Sequence, residues 1–372
     1  MVRKSFLAIF MMLMGGSIAL VAQDKKPTKN DEDEVIRVDT ELVEVPIVVT
    51  DSAGKPILNL KQANFTVSEN GKLQEITDFS TTSSPFEIAL LLDTSGSARA
   101  DLQLIQRSAQ NFINALRPGD RVSIVAFKTE VKDKRAGPVS ELVSGLSDDR
   151  AALRSALERV NTSNGTPYYD GILKIVKSVF NDPPRAEFRG RRALVALTDG
   201  VDSTSLSDFD EVKEELEKAG IVCYFIKVNT REYFEQNLLG DCEIAIRFSA
   251  TQIRRYYKKF APNSKIEKAA DFCQLGDFER LDVSKKLYEL ADTEMKMLAK
   301  ASGGKVFPVG DFSEARVAFK SVADEIGTKY SLGYYSSNEK RDGSYRKIKV
   351  GIKGLPAGAQ VRAREGYTAS TN

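Results

Sequence analysis

The sequence has no histidine and no tryptophan, and only three cysteines among its 372 residues. Without histidine there is no Ser-His-Asp triad, no Cys-His pair and no imidazole base near neutral pH. Histidine-held zinc is excluded on the same ground. A metal, if held, is held by oxygens, which suits Mg²⁺, Mn²⁺ or Ca²⁺. Long apolar runs are also scarce: past the first residues, no segment is apolar over the roughly 20 residues a bilayer-spanning helix needs. Nor does one sign of charge dominate. Lys and Arg total 54 against 52 Asp and Glu, a formal net charge of +2. That balance offers no electrostatic case for nucleic acid as a partner. At 42% hydrophobic and 28% charged, the composition is that of a globular protein, and the length suits one large plus one smaller domain.

The opening stretch, "MVRKSFLAIFMMLMGGSIALVAQ", reads as an export signal over residues 1–22. Arg3 and Lys4 start it, Phe6 to Met14 are apolar, and small residues lead to a cut after Ala22 or Ala19. An uncleaved anchor is the competing reading. Without Arg3 and Lys4 the remaining charges are even, and the mature chain is expected to carry no transmembrane span. Export, whether periplasmic, cell-surface or secreted, changes how the cysteines are read. Cys223, inside "IVCYFIKV", reads as a buried thiol. Cys242 and Cys273 lie in one later segment, where a disulfide would close a loop; free thiols are the alternative.

Residues 23–34, "QDKKPTKNDEDE", are charged and unpatterned, and read as a disordered tether. Residues 35–84 alternate at period two, with Asn70-Gly71 marking a hairpin. They are too few to make a robust domain alone. From 85 to 327 strands and helices alternate: "FEIALLLD", "RVSIVAF", "RALVALTDG" and "IVCYFIKV" read as strands covered on both faces, with amphipathic helices between them. The fold class is therefore α/β, a doubly wound, mostly parallel sheet with helices on both faces. Residues 229–283 break that rhythm and read as a polar, loop-like insertion before a helix at Ser284 to Ala301. Within it, "IRRYYKKF" reads as an amphipathic surface helix. Residues 328–372 return to strands. The economical arrangement packs them with 35–84 as one β-sandwich, each burying what the other cannot.

In an open α/β sheet, ligands bind beyond the carboxyl ends of the strands. The loops "DTSGS", "NGTPYYD" and "TDGVD" would meet there, bringing together Asp93, Ser95, Ser97, Thr166 and Asp199. Two aspartates supply charge and three hydroxyls supply neutral oxygens, a donor set for a divalent cation that keeps an open position. Alone, Asp-x-Ser-x-Ser reads equally well as turn and cap residues. Asp170 reads as a support for the site or as a charge at a helix terminus, and Asp202 as solvated. "SGS" is no phosphate loop, since no Gly-Lys-Ser/Thr follows.

Taken together, Asp93-Thr94-Ser95-Gly96-Ser97, Gly165-Thr166 and Thr198-Asp199-Gly200 resemble the metal-ion-dependent adhesion site of von Willebrand factor type A domains. The resemblance covers roughly residues 85–327 without the insertion. It implies that Asp93, Ser95, Ser97 and Thr166 ligate the ion directly and that Asp199 acts through water. The flanks, "VVTDSAGKPILNLKQANFTVSENGKLQEITDF" and "YSLGYYSS" through "VRAREGY", resemble those of exported von Willebrand A-related proteins of Acidobacteria. The implied function is an exported module that captures a protein partner's Asp or Glu carboxylate through Mg²⁺, or Mn²⁺ or Ca²⁺ in its place. The alternative is an envelope scaffold binding mainly through its β-sandwich, with a structural metal. An enzyme is not expected, because no nucleophile–base pair can be assembled here except through lysine or carboxylate. Oligomeric state is not legible.

Overall fold

In the computed structural model the described residues are 42–81, 84–263 and 271–371. The expected signal and tether, residues 1–34, lie outside them. The chain begins with short strands: β1 (Leu42–Thr50), β2 (Phe65–Glu69), β3 (Lys72–Gln74) and β4 (Asp78–Ser80). An alternating run follows: β5 (Glu87–Leu92), α1 (Leu102–Ala115), β6 (Arg121–Lys132), β7 (Arg135–Ser147), α2 (Arg150–Glu158), α3 (Tyr168–Lys174), β8 (Arg192–Thr198), α4 (Phe209–Ala219) and β9 (Val222–Val228). Next come α5 (Arg231–Gln236), α6 (Ala250–Phe260), α7 (Asp277–Ser302), β10 (Lys305–Val309) and α8 (Ala315–Ile326). The chain closes with β11 (Tyr330–Tyr335), β12 (Tyr345–Ile352), β13 (Gln360–Ala363) and β14 (Gly366–Thr368).

The central sheet has six strands in the order β10-β9-β8-β5-β6-β7, all parallel except the β6–β7 pair. Every residue of β5 and β8 is buried, yet each strand still alternates. Ile88, Leu90 and Leu92 pack on one face with Ile105 and Phe112 of α1, Leu153 of α2 and Phe319 of α8. Ala89 and Leu91 pack on the other with Ile172 of α3, Val212 of α4 and Met295 of α7. Helices on both faces explain why these strands read as unbroken apolar runs, because neither face meets water.

Strand β7 was not legible beforehand. Its sequence, RAGPVSELVSGLS, carries little apolar alternation and is at most half-buried, as an edge strand can be. Asp133 and Lys134, at φ 51° and 62°, make the tight turn that returns it along β6. The insertion also departs from the expected loop. Its described residues hold α5, α6 and the first turns of α7, which starts at Asp277 rather than Ser284. The polar surface of these helices hides an apolar side: Ile253, Tyr256 and Tyr257 of α6 pack with Phe248, Phe272, Val283 and Leu287. Ser249 and Gln252 form a capping box at the start of α6, and Cys242 and Cys273 form a disulfide.

The two ends of the chain build two further four-stranded sheets, β13-β1-β11-β4 and β14-β12-β2-β3. Asn70 (φ 47°) and Gly71 (φ 86°) form the turn between β2 and β3. One core lies between these sheets: Val45, Ile47 and Val49 from β1, Phe65 and Val67 from β2, Tyr330, Leu332 and Tyr334 from β11, and Ile348 from β12. Chain segments almost 300 residues apart thus share one interior, as in the pairing of Phe65 with Ile352. The buried carboxylate of Glu69 accepts from the Tyr334 hydroxyl at 2.9 Å and the Tyr367 hydroxyl at 2.8 Å. Buried Arg364 joins this layer to the α/β layer, donating to the Glu44 carbonyl at 3.2 Å and the Glu217 carbonyl at 3.0 Å. Among the described residues no helix is long and apolar enough to cross a membrane.

Because Leu332 is 1% exposed in this shared interior, Leu332→Ala is expected to cost about 2–5 kcal/mol. The check is urea denaturation; a loss under about 0.5 kcal/mol would mean that the two chain ends do not share a packed core.

Candidate functional site

The strand order reverses direction between β5 and β8, so their carboxyl ends open onto the crevice where such sheets bind ligands. Leu92 pairs with Leu197 in parallel register, which sets the next residues, Asp93 and Thr198, side by side. The Thr198 hydroxyl donates to Asp93 Oδ2 at 2.7 Å, and the Ser95 amide donates to Asp93 Oδ1 at 3.0 Å. Asp93 is therefore oriented from both its own turn and the neighbouring strand, at 3% exposure.

The three polar loops interlock. The Ser163 amide donates to the Thr94 carbonyl at 2.7 Å, and the Thr94 hydroxyl donates to the Phe127 carbonyl at 2.7 Å. Thr94 is thereby occupied in holding the turn, while Ser95 lines the cavity above. The Thr166 amide donates to Ser203 Oγ at 2.7 Å, and the Ser203 amide returns to the Thr166 carbonyl at 2.9 Å. Gly165 is required here because a Cβ would lie 2.8 Å from Pro138 Cγ. Gly200, at φ 76°, turns the chain sharply after Asp199 beneath the Met295 side chain.

Ser95, Thr166 and Asp199 line one cavity of about 970 Å³. Asp93 lies buried beside them, joined to the Asp199 strand through Thr198. Ser97 sits in the turn Gly96–Asp101, with its side chain outside the described residues. Asp199 accepts from the Val201 amide at 2.9 Å and from the Thr230 hydroxyl, which also lies 2.9 Å from the Tyr288 hydroxyl. Thr230 and Tyr288 were missed in the sequence. Thr230 stands just past the end of β9, so the strand-end rule could have flagged it. Tyr288 reaches the site from α7 and carries no local signal.

Two further aspartates have definite structural places. Asp170 accepts from the Leu206 and Ser207 amides, each at 3.0 Å, and so ties α3 to the loop after Asp199. Asp202, expected to be solvated, is 2% exposed. It pairs with Arg255 of α6 at 3.0 Å and accepts from the Tyr168 amide at 3.0 Å. The reason is the insertion: α6 covers this loop and supplies the cation that a buried carboxylate requires.

The electrostatics test whether a cation fits. Burial pushes the Asp93 carboxyl up, against the hydrogen bonds from Ser95 and Thr198. Burial, and then the charge of Asp93, push Asp199 up to about 7, against the Thr230 hydroxyl and the Val201 amide. Lys227 also acts on Asp199, but its ammonium is engaged by Asp292 at 2.6 Å. Two buried carboxylates that repel one another, flanked by hydroxyls, are a donor set that a divalent cation would neutralise. Among the described residues no three His, Cys, Asp or Glu side chains are placed to hold a metal, so the charge of such a site is limited to two carboxylates. The chain's residues that fit the role are Asp93, Ser95, Thr166 and Asp199.

The site thus stands at the switch point of a mostly parallel α/β sheet, with Asp, Ser and Thr side chains at the strand ends. Residues 88–201 match the family model of the von Willebrand factor type A domain. The match contains all three site loops and ends before the insertion. No curated protein matches the sequence significantly. Similar solved structures include the conserved hypothetical protein BatB from Bacteroides thetaiotaomicron, at 15% identity and a TM-score of 0.40, covering 65% of this chain and 98% of that one. A von Willebrand factor type A protein from Catenulispora acidiphila is 10% identical with a TM-score of 0.42, covering 89% of this chain and 75% of that one. Proximal thread matrix protein 1 from the mussel byssus, in a form with a zinc-occupied MIDAS motif, is 17% identical with a TM-score of 0.40. That match covers 68% of this chain and 48% of the mussel protein.

A pH dependence follows from Asp199. Its folded carboxyl holds a proton more tightly than the ordinary value near 3.8, so the stability it contributes is full below that value and is lost as pH rises through about 7. In chelator, the melting temperature of the wild type should fall over this window, Asp199→Asn should flatten the fall, and added Mg²⁺ should oppose it. Parallel pH profiles for wild type and Asp199→Asn would exclude this account.

Proposed function

We propose that this protein is an exported, metal-ion-dependent binding module that captures an acidic residue of a protein partner through a divalent cation. The observation that carries the reading is the pair of buried carboxylates, Asp93 and Asp199, which follow the paired ends of β5 and β8 near enough to repel one another, with hydroxyl side chains beside them. Their mutual repulsion disfavours the ionised apo site, and a cation reverses it. With Asp93 the one carboxylate bound directly and Asp199 acting through water, a bound Mg²⁺ or Mn²⁺ keeps part of its positive charge at its open position, where it attracts an outside carboxylate. Capture of a carboxylate needs no chemical step, and the chain contains no histidine to act as a base near neutral pH. We read the protein as a binder rather than an enzyme, and the N-terminal stretch as the signal that takes it out of the cytoplasm.

Calorimetric titration of Mg²⁺ and Mn²⁺ into the protein tests the cation. Binding at one site is expected, with Asp93→Ala reducing affinity at least about tenfold, since a direct carboxylate ligand is lost. Heats that are flat for wild type, or identical for Asp93→Ala, would refute the reading.

A further inference from the structure

The cavity above Asp199 is not built from the matched domain alone. Ser95, Thr166 and Asp199 form its floor, while Tyr233, Phe234, Ile246 and Phe248 of the insertion and Leu287 and Tyr288 of α7 form an apolar wall. This wall is anchored. The disulfide between Cys242 and Cys273 closes the segment, and buried Arg280 donates to the Gly240 and Leu275 carbonyls, each at 2.9 Å. The Ser249 hydroxyl donates to the Ser203 carbonyl, and Arg255 pairs with Asp202 at 3.0 Å, so the wall is bonded to the loops that carry Thr166 and Asp199.

From this arrangement we infer that the ligand is an extended peptide segment whose acidic residue is flanked by a large apolar side chain, and that the insertion selects it. The inference rests on the reading of the floor as a cation site. A carboxylate fills little of a cavity of about 970 Å³, at the upper end of the size of ligand pockets, so more of the ligand than its carboxylate enters. The floor lies beneath walls, with Asp199 only 8% exposed. A flat protein face does not reach it, but a protruding chain does. The lining charges, Arg99 and Arg247 against Asp101 and Asp311, offset one another. Charge therefore attracts the ligand at the floor, and apolar contact decides beside it.

The test uses the full protein and three fluorescent dodecapeptides: a central Asp flanked by Phe and Leu, the same Asp flanked by serines, and the first peptide with Asn for Asp. Fluorescence anisotropy in Mg²⁺ is expected to show the Phe/Leu peptide binding roughly tenfold or more tighter than the serine-flanked one. Ile246→Asp and Tyr233→Ala, at half-buried and exposed wall positions, should remove most of that preference while leaving the Mg²⁺ titration unchanged. Equal binding of the two Asp peptides, binding of neither while Mg²⁺ binds normally, or an unaltered preference in both wall variants overturns the inference. If the Asn peptide binds as tightly as its Asp counterpart, or chelator has no effect, the cation reading beneath it fails instead.

Discussion

Parallel pairing of β5 with β8 is the constraint on which the site depends. Once Leu92 stands opposite Leu197, the next residues of the two strands emerge at the same height, and Thr198 reaches Asp93 Oδ2. A slip of one residue would turn every side chain of a strand to the opposite face. Here such a slip would exchange the residues packed against α1 and α8 for those packed against α3 and α7, with a different set of volumes on each face. The apolar packing of the strands thus fixes the position of two carboxylates that apolar packing alone would never favour.

Holding those carboxylates close and dry works against stability, and the surroundings show how it is tolerated. Each charge accepts backbone amides from its own turn and a hydroxyl from a neighbouring strand end: Thr198 for Asp93 and Thr230 for Asp199. Lys227, the nearest available cation on β9, is engaged by Asp292 of α7. Neither carboxylate is therefore paired with a cation of its own, and burial pushes both carboxyls up.

The β-sandwich and the insertion solve separate problems. Residues 42–80 cannot bury their apolar faces alone, and neither can 330–368; paired, they enclose one core with a buried Glu69 network inside it. Buried Arg364 then reaches carbonyls on both layers, so the sandwich is seated on the α/β layer through hydrogen bonds. The insertion, by contrast, sits at the ligand end. It buries its own cluster and places Tyr233, Phe234, Ile246 and Phe248 on the cavity lining, with Ser95, Thr166 and Asp199 on the same cavity.

Much of this organisation was legible in the chain. Apolar runs covered on both faces, amphipathic helices between them, and the Asp-x-Ser-x-Ser, Gly-Thr and Thr-Asp-Gly loops each have a local signature, because strand burial and tight turns constrain residue type directly. Strand β7 escaped because an edge strand with mixed burial need not alternate, and the insertion's helices escaped because polar outer faces masked their apolar side. Asp202 looked solvated because nothing near it in sequence announces Arg255, 53 residues away. Thr230 and Tyr288 meet Asp199 only through the stacking of β8, β9 and α7. The sequence by itself therefore determined the α/β class and the polar loops that follow β5 and β8, since those follow from local pattern. Only the tertiary structure decided which threonine supports which carboxylate, and that an apolar wall stands over them, because contacts between distant segments depend on packing that no local stretch encodes.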